Sequence, residues 1–224
     1  MDSSITRGLY RDITEFAHGT PEWVHLLAQV WTEAGLLIFG ALFVVGWWQG
    51  RTRDARFIAV AVLAPLATAA GYLFSETFKS VVDEERPCRT VTEAAPSIVT
   101  CPPTGDWSFP SNHSAIAGAA ALALVLVWPR IWLLTVPMAV LMAFSRVFVG
   151  VHYPHDVAVG LVVGALVAWV FVLLLRRPAE RLLTTMRTSR NGLVLWFAGP
   201  GPLTEAGPVP PQSPAPGRHR AHRG

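Results

Sequence analysis

The stretch FIAVAVLAPLATAAGYLFSETFKSVVDEERP, Phe57 to Pro87, is apolar through its first two-thirds and charged at its end. Phe57 to Phe78 carries a single charged residue, Glu76. At 1.5 Å per residue a helix of this length crosses the ~30 Å hydrocarbon core of a bilayer. Lys79 follows at once and is the only lysine in the chain, although lysine and arginine together number 18. A membrane-length run that ends on a solitary lysine, with Arg86-Pro87 seven residues further on, decides how the rest of the chain is read.

Blocks of the same kind recur on both sides. A first span is predicted over about Trp23–Trp48, with polar His25, Gln29, Thr32 and Glu33 early and Trp47-Trp48 at an interface. The second is Phe57–Phe78, the third Ser111–Trp128, the fourth Ile131–Phe148 and the fifth Asp156–Leu175, closed by Arg176-Arg177-Pro178. Residues 1–22 are mildly amphipathic and predict an interfacial helix ending in a turn at Gly19-Thr20-Pro21. The expected fold class is all-α: a polytopic transmembrane helical bundle of about five spans plus an N-terminal interfacial helix. Residues 1–22 are too polar for a cleavable signal, so the first span is expected to direct insertion. Residues 185–224, rich in Pro, Gly and Arg, are expected to form a disordered cytoplasmic tail. That leaves 1–184 as the transmembrane domain, with its core at 57–175.

Composition fits this reading. Of 224 residues, 52% are hydrophobic and 15% charged, where soluble domains carry about 25% charged residues. The net charge of +3 would suggest nucleic acid in a soluble protein. Here the arginines gather at span ends and in the tail, so no nucleic-acid partner is expected. Arg51, Arg53 and Arg56, then Arg130, then Arg176, Arg177 and Arg181 mark one side as cytoplasmic. The loop 80–110 and the loop Gly150–Pro154 then face outward, with the N-terminus outside and the C-terminus inside.

Three polar islands fall on that outer side: Lys79 with Arg86-Pro87, FPSNHS from Phe109 to Ser114, and SRVFVGVHYPHD from Ser145 to Asp156. Singly, each basic group reads as a headgroup anchor and each histidine as an interfacial polar residue. Jointly, Lys79, Arg86 and Arg146 make a triple cation that calls for an anion, and phosphate suits it. Ser111 reads as the cap of an apolar helix whose free N–H groups would bind the same anion. His113 lies in the first turn of that helix. His152 is followed four residues later by Asp156, a carboxylate placed to fix its tautomer and free the other ring nitrogen for attack.

These islands resemble the three motifs of the type 2 phosphatidic acid phosphatase family, which includes membrane lipid phosphate phosphatases and soluble vanadium haloperoxidases. Lys79, six residues, Arg86-Pro87 is similar to the first motif. Pro110-Ser111-Asn112-His113 is similar to the second. Ser145-Arg146, five residues, His152, three residues, Asp156 is similar to the third. The resemblance covers about residues 57–175. It implies a hydrolase of lipid phosphates or diphosphates, with His152 as nucleophile forming a phosphohistidine and Asp156 orienting it. His113 would be the acid and base. Lys79, Arg86, Ser111, Asn112 and Arg146 would hold the phosphate, with no metal and no cofactor. Asn112 stands where the family usually has Gly, and His155 matches no required position of the motif.

Expected substrates are polyprenyl diphosphate, phosphatidic acid or phosphatidylglycerol phosphate, met at the outer face of the plasma membrane. Alternatives are a lipid phosphotransferase using the same site and a non-catalytic lipid-binding or transport protein. Cys88 and Cys101 share the loop between the first two motifs, and an outward loop permits a disulfide between them. Gly160 and Gly164 have the small-residue spacing of a close helix contact. The sequence leaves the oligomeric state open.

Overall fold

Asp54 starts the helix that carries the opening stretch. Its side chain accepts a hydrogen bond from the Phe57 N–H at 2.7 Å, a cap that contributes about 1 kcal/mol. The computed structural model describes residues 5–202. In chain order the helices are α1 (Arg7–His18), α2 (Glu22–Gly50), α3 (Ala55–Lys79), α4 (Pro87–Thr90), α5 (Asn112–Val127), α6 (Trp132–Phe148), α7 (Pro154–Met186) and α8 (Gly192–Ala198). Among the described residues there is no strand. The chain is a multi-pass membrane bundle: α2, α3, α6 with its leading turn, and α7 are each long and apolar enough to cross a bilayer.

The remaining expected span, α5, has 16 residues and reaches about 24 Å. It manages with less length because it is the interior helix, packed against α3, α6 and α7. Ala115, Ala117, Ala119, Ala120 and Ala123 are fully buried. Alanine and glycine let backbones approach closely, which replaces the hydrophobic drive that lipid does not supply. The predicted pair Gly160 and Gly164 lies on this contact. A Cβ built at Gly164 would overlap the Ala115 carbonyl oxygen, and one at Gly160 would lie 2.7 Å from the Ser111 carbonyl oxygen.

Two boundaries differ from the sequence reading. The fifth span does not close at Pro178; α7 runs on to Met186 over 33 residues. Proline removes one backbone hydrogen bond, and the helix formers that follow keep the helix going beyond it. At about 50 Å, α7 exceeds the hydrocarbon thickness and projects on the arginine-rich side. The stretch 185–202, expected as the start of a disordered tail, contains the end of α7 and the short helix α8. That helix docks through aromatic contacts: Trp47 Nε1 donates to the Phe197 carbonyl at 3.1 Å, and the Arg51 guanidinium lies 4.5 Å from the Trp48 ring and 5.1 Å from the Trp196 ring. The rest of the expected tail, residues 203–224, lies outside the described residues.

At the opposite end of the bundle, α1 lies over the site. It buries Tyr10, Thr14 and Ala17 and leaves Arg11 and Glu15 exposed, the stripe of an amphipathic helix. The Tyr10 hydroxyl donates to the Gly150 carbonyl at 2.9 Å. Gly150 itself has φ +87°, a backbone state that favours glycine, and turns the chain from α6 toward His152. A disulfide joins Cys88 to Cys101, with Cα atoms 6.1 Å apart, and pins α4 to the loop ahead of α5.

Candidate active site

Four helix ends meet at this end of the bundle. Lys79 is the last residue of α3, Ser111 precedes α5, Arg146 is near the end of α6, and His152 lies just before α7. Pro154 opens α7, where its missing N–H costs nothing. Asp156, in the first turn, accepts the Tyr153 N–H at 2.8 Å. The residue that caps the helix is thereby turned back onto His152, whose Nδ1 lies 3.4 Å from Asp156 Oδ2.

The other ring nitrogen looks into the cationic cluster. Arg86 Nη1 lies 3.1 Å from His152 Nε2 and donates to the Val151 carbonyl at 3.0 Å. A guanidinium has only donors, so Nε2 is the accepting nitrogen and the proton belongs on Nδ1, toward Asp156. His152 is buried. Burial, then the charges of Arg86, Arg146, Lys79 and His113, hold its pKa well below the usual histidine value. The imidazole is neutral at neutral pH, with its Nε2 lone pair turned toward Arg86 in the cationic cluster. Beyond burial, the groups that lower it are the cations and the second histidine singled out in the sequence.

The sequence-predicted residues differ in how they meet this centre. Lys79 and Arg86 are both buried, and both grip the same carboxylate oxygen, Asp106 Oδ1, at 3.1 and 2.9 Å. Arg146 makes no ion pair among the described residues, and its Nε is buried without a hydrogen-bond partner. Ser111 is buried and accepts from the Ser114 hydroxyl at 3.2 Å rather than capping α5 with its side chain. The orphan N–H groups of the first turn of α5 thus remain for a ligand. The Asn112 side chain faces α3, accepting from the Ser75 hydroxyl at 2.8 Å and donating to Glu76; only its backbone N–H is left for an anion. His113 Nε2 lies 3.7 Å from Glu33 Oε1, so the acid that marred the first predicted span is its partner.

Three residues of this site escaped the sequence reading. Asp106 occupies the cation pair. Burial alone would raise its pKa, yet the hydrogen bonds and charges of Arg86 and Lys79 outweigh burial and lower it. Ser108 donates to Asp156 Oδ2. Glu84, buried, lies behind the dyad near His155. All three sit in irregular backbone with no periodicity to mark them, Glu84 within the first motif and Asp106 and Ser108 between the first two.

Beside the cluster, an apolar groove of about 370 Å³ runs between α3 and α7, lined by Phe74, Phe78, Phe109, Pro110, Val159 and Val163 among others. Its wall includes the residue before Lys79 and the two before Ser111, so the groove and the cations adjoin.

A family model described as PAP2 superfamily matches residues 60–179, more than half of the chain and all three islands. The chain belongs to the PAP2 superfamily. Over 101 residues it is 36% identical to an undecaprenyl-diphosphatase of Sulfolobus acidocaldarius, a match covering 45% of this chain and 48% of that protein. It thus spans about half the length of that relative. It is 29% identical over 140 residues to undecaprenyl-diphosphatase BcrC of Bacillus subtilis, covering 62% of this chain and 69% of that one. The crystal structure of Aquifex aeolicus LpxE superposes with a TM-score of 0.61 at 19% identity, covering 77% of this chain and 97% of that one. This last likeness concerns the fold alone and takes in most of the bundle.

Proposed function

We propose that the protein is a metal-independent phosphatase of lipid phosphates or diphosphates, with polyprenyl diphosphate as its preferred substrate, acting at the extracytoplasmic face of the plasma membrane. The observation that carries this reading is the orientation of His152: Asp156 at one ring nitrogen, Arg86 at the other, and a pair of cations already holding a carboxylate beside it. The groove beside the cations supports a lipid tail over a soluble ester, and relatives named for undecaprenyl diphosphate support a polyprenyl chain. The arginines at the far end of the bundle support the outward placement of the site.

In the proposed cycle the terminal phosphate displaces Asp106 and takes Lys79, Arg86, Arg146 and the N-terminus of α5 as ligands. His152 Nε2 attacks phosphorus, the bond to the leaving oxygen breaks, and His113 gives that oxygen its proton. With a diphosphate the leaving group is the lipid monophosphate. His113 then takes a proton from water, whose oxygen attacks the phosphohistidine; the P–N bond breaks, Nε2 regains its lone pair and inorganic phosphate departs. Three fixed cations supply the charge stabilisation that metals give at other phosphoryl-transfer sites.

The test is phosphate release by purified protein in detergent with EDTA, over a panel of polyprenyl diphosphate, polyprenyl phosphate, phosphatidic acid and phosphatidylglycerol phosphate. Polyprenyl diphosphate is expected to give the highest kcat/KM. The same assay reads the pH dependence. A histidine with a lowered pKa keeps its lone pair on acidification, so the acid limb of kcat/KM is expected below the ordinary histidine value of about 6.5. A limb centred at or above that value contradicts the geometry described for His152.

Asp106 gives a further expectation. Asp106→Asn removes the negative charge that competes for Lys79 and Arg86, so inhibition by inorganic phosphate should tighten about 10-fold. An unchanged inhibition constant would mean that Asp106 does not compete with the ligand.

A further inference from the structure

His155 matches no position of the third motif, yet the fold gives it a defined place between two buried carboxylates. Its Nε2 lies 3.1 Å from Glu84 Oε1 and 3.2 Å from Asp156 Oδ1, and its Nδ1 lies 2.7 Å from the Thr6 hydroxyl. Its ring stacks on Tyr153 with centroids 5.3 Å apart and planes at 14°. Glu84 is 4% exposed and Asp156 is fully buried.

Asp156 therefore divides its oxygens between two histidines. Oδ2 accepts from the Tyr153 N–H and the Ser108 hydroxyl and faces His152. Oδ1 has no hydrogen-bonded partner and faces His155; Glu84 Oε2 is likewise without one. Two carboxylates buried side by side are strongly unfavourable unless a cation compensates them. Among the described residues no lysine or arginine pairs with either, and His155 alone contacts both. An imidazolium donates from both nitrogens, which matches carboxylates at Nε2 and a hydroxyl oxygen at Nδ1.

We propose that His155 is a positioning residue: a cation between Glu84 and Asp156 that keeps the Asp156 carboxylate ionised and its Oδ2 turned toward His152. This rests on the reading of His152 and Asp156 as the reactive pair. Glu84 is the counter-charge that ties the first motif to that pair. It lies between Lys79 and Arg86 in the chain, and its carbonyl accepts the Ser108 N–H at 2.7 Å. His155 acts through Asp156, and its polar contacts are Glu84, Asp156 and Thr6.

The experiment compares His155→Gln, Glu84→Gln and the double variant in the full-length protein, reading kcat and KM for polyprenyl diphosphate and the unfolding temperature. His155→Gln leaves two facing carboxylates without a cation, and kcat is expected to fall about 10- to 100-fold while KM changes little. Removing Glu84 as well takes away the surplus charge, so the double variant is expected to recover most of that loss. Should His155→Gln fail to fold, the double variant is still expected to fold and turn over. Wild-type kcat in His155→Gln, a double variant that shows the product of the single losses, or a double variant that also fails to fold each overturns the proposal. His152→Ala in the same assay separates the two readings. Full activity there removes the reactive pair itself, whereas loss there with a fully active His155→Gln removes only the role of His155.

Discussion

His152→Ala is expected to lower kcat by at least about 10⁴-fold, the scale seen when a nucleophile is removed from a site whose members act as a unit. The physical reason lies in what remains. Lys79, Arg86 and Arg146 would still gather the phosphate, so lipid binding should persist within a few-fold. Arg86 Nη1 lies 3.1 Å from His152 Nε2, so the substitution removes the nitrogen that faces the cations. The side chain is buried with Arg86, Ser108 and Asp156 as its polar neighbours, and the variant is expected to remain folded. Phosphate release and lipid binding, measured on one preparation, check both halves. Residual turnover within 10-fold of wild type would remove His152 from the role of nucleophile.

The largest effect on stability is expected at Gly164. Any side chain there would overlap the Ala115 carbonyl oxygen, which belongs to the backbone of α5 and has no rotamer by which to yield. Gly164→Leu should therefore force α5 and α7 apart. Overpacking costs typically 1–3 kcal/mol where flexible neighbours relax; against backbone the cost should reach or exceed the top of that range. Because Ser111 lies before α5 and His152 before α7, the same displacement would open the site, so activity and unfolding temperature should fall together. At Gly40, by contrast, a Cβ meets nothing within 4 Å, and Gly40→Ala should leave both near wild type. Equal behaviour of the two variants in a thermal unfolding series would contradict the assigned α5–α7 contact.

How much of this was legible in the sequence depended on the kind of signal. Membrane spans announce themselves by length and polarity, and the helices α2, α3, α6 and α7 fall where the apolar runs placed them. The residues that the fold gathers at this end of the bundle were legible because their spacing is local: His152 and Asp156 share one turn, and Ser111 and His113 share one helix start. Asp106, Ser108 and Glu84 were not, since they reach the site through irregular backbone between α3 and α5 that has no period. The docking of α8 was also hidden. Its Trp196 and Phe197 gain meaning only when Trp47 and Arg51 come to meet them from the other end of the chain. The continuation of α7 through Pro178 was misjudged because a proline breaks a helix only where the neighbouring turns lack support.

Asn112 shows how local chemistry refines a motif. Where the resemblance would have glycine, this chain has an amide whose side chain is tied to Ser75 and Glu76 on α3. The amide fastens the start of α5 to α3 beside Lys79, and its backbone N–H is left for the anion. The substitution thus preserves the backbone contribution and adds an anchor between two of the helices that carry the site.

The most direct test of the central claim is to trap the intermediate. Wild-type protein and His152→Ala would be mixed with polyprenyl diphosphate labelled with ³²P in its terminal phosphate, quenched in alkali during turnover, and digested for peptide mapping. The expected result is an acid-labile, alkali-stable label on the peptide that contains His152 in the wild type, and none in the variant. Steady turnover with no label on the protein, or a label that survives in His152→Ala, would contradict a phosphohistidine at this residue.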